Sequence, residues 1–138
     1  MPELPTGSKP HGLLLCDDLM FTSRISGTAR DLGLEIKPAR SVQALEPLLG
    51  QGVPGCVIID LANPGLVLPD LVRRLRAICP RMPRVVAYGS HVDAATLKAA
   101  REAGCDPVLP RSKFVEALPR ELLRWLTMGD DQNIEQGR

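Results

Sequence analysis

Three aspartates lie where their neighbours make chemistry possible. Asp17 and Asp18 follow directly on the apolar run Leu13-Leu14-Leu15-Cys16, and Asp60 ends the run Cys56-Val57-Ile58-Ile59. Carboxylates gathered in one crevice repel one another, which raises their pKa values unless a cation joins them. Hard oxygen donors in that number, with room for water and a phosphate, suit Mg²⁺. Asp17, Asp18 and Asp60 are therefore the candidate metal ligands. The plainer reading is structural: Asp17 or Asp18 caps a helix, and Asp60 caps a turn. The two readings differ in whether the fold gathers all three side chains.

The elements that would gather them can be read from hydrophobic periodicity. Leu13 to Cys16, Cys56 to Ile59 and Val85-Val86-Ala87-Tyr88 are short and continuously apolar, the pattern of strands buried on both faces. Leu34-Glu35-Ile36 before Pro38, and Val108-Leu109 between Pro107 and Pro110, read as weaker strands. Proline cannot donate to a ladder, so these two belong at sheet edges. Helical stripes alternate with the strands: Phe21, Ile25, Ala29 and Leu32; Val42, Leu45 and Leu49 behind a Ser41 cap; Leu68, Leu71, Val72, Leu75, Ile78 and Cys79. Asp93 can cap a helix over 94–103 that stops at Gly104, and Ser112 can cap one carrying Phe114, Leu118, Leu122 and Trp125. Pro119 either kinks that last helix or starts its main segment. The whole predicts a single doubly wound (βα)5 α/β domain over 11–126, its parallel sheet ordered 2-1-3-4-5. That order puts a site where strands 1 and 3 diverge. Residues 1–10 and 127–138 read as unstructured polar tails.

Composition removes other classes. A net charge of +1 and 3% aromatics over 138 residues argue against a nucleic-acid module. No apolar stretch approaches the roughly 20 residues that span a bilayer, so the chain is expected to be soluble and cytoplasmic, without a membrane partner. Cys16, Cys56, Cys79 and Cys105 show no CxxC or zinc spacing and read as packed thiols. Neither G-x-S-x-G nor a glycine-rich phosphate loop is present, so no enzyme or nucleotide cofactor is expected. Arg73, Arg74, Arg76, Arg81 and Arg84 read as a solvated basic face that could also dock an acidic partner, and His91 as a loop histidine near the crevice.

Leu14-Leu15-Cys16-Asp17-Asp18 with Arg24, Val57-Ile58-Ile59-Asp60-Leu61-Ala62-Asn63-Pro64-Gly65, and Ala99-Ala100-Arg101-Glu102-Ala103-Gly104-Cys105-Asp106 together resemble the receiver domain of response regulators across 11–126. The resemblance implies a flavodoxin-like fold in which Asp60 accepts a phosphoryl group from a kinase phosphohistidine. It also implies Mg²⁺ held by Asp18, or by Asp17 with Asp18, and by the carbonyl of Ala62.

Departures accompany the matches. The hydroxyl that such domains place at the end of strand 4 falls on Gly89, with Ser90 next door. Their strand-5 lysine and cis-proline become Arg111 and Ser112, with Lys113 two residues on from Arg111, and their switch aromatic becomes Val108. Arg keeps the charge but not the compact ammonium. The expected function is a stand-alone, receiver-like signalling protein, a monomer or weak homodimer, contacting a histidine kinase or a downstream effector. Its alternative is a phosphorylation-independent pseudo-receiver whose helix 4 to helix 5 face responds little to Asp60; a small enzyme using the crevice is the third reading.

Overall fold

The computed structural model describes residues 10–128. Their element order is β1 (His11–Leu15), α1 (Leu19–Asp31), β2 (Glu35–Ala39), α2 (Val42–Leu49), β3 (Cys56–Asp60), α3 (Leu68–Ile78), β4 (Arg84–Gly89), α4 (Ala94–Glu102), β5 (Val108–Pro110) and α5 (Arg111–Met128). All four strand pairings are parallel, and the sheet order is β2-β1-β3-β4-β5. The expected fold and strand order hold.

The two proline-bearing strands are the edges. β3 and β4 are buried along their whole length, as continuous apolar runs require. Because strand side chains alternate between faces, the sheet divides the core into two layers. Leu13, Leu15, Val57, Ile59, Val85 and Ala87 pack toward α2, α3 and α4. Leu14, Cys16, Cys56, Ile58, Val86 and Tyr88 pack toward α1 and α5, against Ile25, Phe114, Leu118, Leu122 and Trp125.

Ser41 caps α2 by accepting the Ala44 N–H, and Asp93 caps α4 by accepting that of Thr96, as expected. Gly104 holds a left-handed φ of 106° after α4. Four details differ from the sequence reading. α5 begins at Arg111, directly after β5, so Ser112 lies inside its first turn rather than capping it. Pro119 lies inside α5 and does not start it, and the helix runs on to Met128, so Thr127 and Met128 leave the expected tail; the remaining expected tail segments, 1–9 and 129–138, lie outside the described residues. The α3 stripe is narrower than expected, because Ile78 is exposed and Cys79 lies just past the helix end. The arginine cluster is not one solvated face. Arg73 pairs with Asp70 and Arg74 with Glu46, while Arg84 is buried in β4 and donates to the Asp106 carbonyl at 3.2 Å.

All four cysteines are free and buried. Burial pushes the Cys56 thiol up to about 12 and that of Cys105 up to about 11. Among the described residues no helix is long and apolar enough to cross a membrane.

Candidate functional site

β1 and β3 end side by side, Leu15 in register with Ile59, so Asp17, Asp18 and Asp60 all emerge at the carboxyl end of the sheet. Beyond that the three part company. Asp18 is the N-cap of α1, with Oδ1 accepting the Phe21 N–H at 3.1 Å. Asp17 is exposed and pairs with Arg40, its Oδ1 lying 3.2 Å from Nε. Asp60 is buried, and its Oδ1 accepts the Ala62 N–H at 2.9 Å, turning the chain out of β3.

Among the described residues no three His, Cys, Asp or Glu side chains form a group that could hold a metal ion. Each of these carboxylates has a protein partner of its own. The donor set does not fit Mg²⁺ as arranged.

The other expected residues can be placed one by one. Gly89 closes β4, and a Cβ there would lie 3.3 Å from Leu61 Cδ1 and 3.4 Å from Leu97 Cδ2, so a larger side chain would crowd two leucines. Ser90 is exposed just past the strand, its Oγ accepting the Val92 N–H at 3.3 Å. Arg111 lays its guanidinium over the rings of Phe21 (5.4 Å) and Tyr88 (6.0 Å), a cation–π arrangement. Lys113 faces Glu116 at 3.9 Å. Val108 is packed in the α4 layer. The cis peptide precedes β5, at Asp106–Pro107, instead of following it at Ser112. Phe21, Arg24, Ser90, His91, Arg111 and Ser112 line a cleft beside the crevice, which brings His91 and Ser90 together with Arg111.

Two residues that the sequence reading did not single out complete the site. Cys16 Sγ lies 3.7 Å from Asp60 Oδ2 and 3.5 Å from the Asp18 carbonyl. Tyr88, in register with Asp60 on the adjacent strand, donates its hydroxyl to Cys16 Sγ at 3.3 Å. Burial raises the Tyr88 phenol above its ordinary range; its bond to Cys16 and the nearby Asp60 charge add to the shift. A signal existed: tyrosine in a wholly buried strand must find a partner for its hydroxyl.

No protein-family model matches the chain. A response regulator receiver protein of Anaeromyxobacter is 35% identical over 75 residues, which are 54% of this chain and 31% of that relative; the chain thus spans about a third of the relative's length. Solved structures share the fold at low identity. A response regulator from Thermotoga maritima aligns at TM-score 0.72 with 16% identity, over 86% of this chain and 98% of its own. The receiver domain of NtrX from Brucella abortus gives 0.71 with 20%, over 83% and 97%. The receiver domain of Ssk1 from Saccharomyces cerevisiae, solved with the histidine phosphotransfer protein Ypd1, gives 0.72 with 18%, over 87% and 90%. The resemblance to receivers therefore holds in sequence and in fold.

Proposed function

We propose that this chain is a receiver-like signal-transduction module that works through protein contacts, with Asp60 as its phospho-acceptor. One observation carries the reading: a buried carboxylate ends β3 in the crevice beside β1, where the strand order reverses and ligands of such sheets bind. A carboxylate oxygen attacking a phosphohistidine forms a P–O bond as the P–N bond breaks. Such a transfer needs positioning and charge neutralisation more than covalent help. The Ala62 N–H orients the carboxylate, and Arg111 and Ser90, which line one cleft with His91, are the proposed phosphoryl contacts. A histidine kinase or a phosphotransfer protein is the proposed donor, and a protein effector the proposed recipient of the signal.

The test is intact-mass measurement after incubation with a small phosphodonor and Mg²⁺. Wild type should gain one phosphoryl group and Asp60→Asn none; no gain in wild type, or an equal gain in the variant, overturns the assignment.

A second reading, a docking module of fixed shape, is favoured by Gly89 and by the separate engagements of Asp17 and Asp18. On that reading partner affinity is the same for wild type and Asp60→Asn.

A further inference from the structure

Cys16 just past β1, Asp60 at the end of β3 and Tyr88 one residue before the end of β4 lie at the same end of three adjacent strands, on one face of the sheet. Cys16 and Tyr88 are wholly buried, and Asp60 is 5% exposed. The chain of contacts is directional. Tyr88 O–H donates to Cys16 Sγ, and the single Cys16 thiol proton has two acceptors within reach, Asp60 Oδ2 and the Asp18 carbonyl. Asp60 Oδ2 and the Asp18 carbonyl therefore compete for that one proton, and the group that stands at position 60 sets the balance. When the Asp60 carboxylate is substituted or phosphorylated, its Oδ2 is changed as an acceptor and the balance shifts toward the Asp18 carbonyl at the N-cap of α1. That is a differential contact between two states, which any population shift requires.

Tyr88 also begins an aromatic stack. Its ring lies 4.6 Å from Phe114 at 28°, and Phe114 lies 5.9 Å from Trp125 at 12°. Phe21 of α1 packs on both Tyr88 and Phe114, at 5.0 and 6.2 Å. Every ring belongs to the layer beneath α1 and α5, whereas Val108 and Leu97 belong to the opposite layer. A tilt of the Tyr88 ring to follow its acceptor therefore moves α5 and α1 before it moves α4.

We infer that Cys16 and Tyr88 are positioning residues for Asp60, and that they carry its chemical state to the α1–α5 face rather than to the α4–β5 face. The inference rests on Asp60 being the site residue, but not on a phosphoryl group reaching it.

Amide spectra test it, with Asp60→Asn as the perturbation in three backgrounds: wild type, Tyr88→Phe, which keeps the ring, and Cys16→Val, which removes the thiol proton. In the wild-type background the substitution should move resonances of residues 16–25 and 114–125 and the Trp125 indole. In each of the other two backgrounds the movement in 114–125 should fall to less than half. Equal movement in all backgrounds, or movement confined to 94–110, overturns the relay. Tyr88→Phe alone decides the question if Cys16→Val fails to fold. Failure to phosphorylate Asp60 leaves these spectra informative, whereas phosphorylation with a still α5 refutes the relay and spares the acceptor.

Discussion

The Asp18 carboxylate caps a helix, while its neighbour Asp17 holds an exposed arginine, so substitution should separate the pair. Asp18→Ala should lower stability by about 1 kcal/mol, the usual worth of an N-cap, read by urea denaturation. Asp17→Ala should be close to neutral, since exposed ion pairs contribute little. Arg40 also competes with any cation for Asp17. Wild type should gain little thermal stability from millimolar Mg²⁺, and Arg40→Ala should gain more; equal responses would show that the pair is irrelevant to metal binding. Alkali acts on buried acids. The thiols of Cys56 and Cys105 and the Tyr88 phenol are raised in the fold, so above about pH 9 the unfolded chain loses protons that the native one keeps. Bound protons then number fewer in the unfolded state, and stability falls as pH rises. The urea midpoint should decline steadily from pH 9 to 11, and a flat profile would contradict the burial of these groups.

At the scale of elements, two glycines make opposite demands. Gly55, just ahead of β3, lies so close to α5 that a Cβ would overlap the Leu126 carbonyl, a backbone atom that cannot turn aside. Gly27 is in the middle of α1 with nothing within 4 Å of such a Cβ. Gly27→Ala should therefore raise stability by about 0.5–1 kcal/mol through helix propensity. Gly55→Ala should lower the thermal midpoint sharply by forcing α5 off the sheet. Calorimetry on both variants checks the signs. The two edge strands were legible because proline marks them, and the α2 and α4 caps because Ser41 and Asp93 begin their stripes. The continuity of α5 through Pro119 was not, since burial of Leu118, Leu122 and Trp125 outweighs one missing backbone donor.

For the molecule as a whole, Trp125 is a convenient witness. It is the chain's one tryptophan, buried at the far end of the aromatic stack. With both core layers built on one five-stranded sheet, unfolding should be a single cooperative event. Trp125 fluorescence and far-UV circular dichroism should give coincident urea transitions; separated midpoints would mean that α5 detaches before the sheet opens.

The sequence alone determined the alternation of strands and helices, the sheet order and the end of the sheet at which Asp17, Asp18 and Asp60 emerge, because those follow from local periodicity and from proline's missing donor. The resemblance to receivers rested on the same residues. Only the tertiary structure decided what each carboxylate does. Asp17 turned to Arg40, distant in sequence, Asp18 to its own helix, and Asp60 to Ala62 and Cys16. It also decided that Tyr88, and not position 89 or 108, brings a hydroxyl and a ring to the site. Side-chain partners across strands depend on register and on the face each residue takes, and neither can be read from one strand by itself.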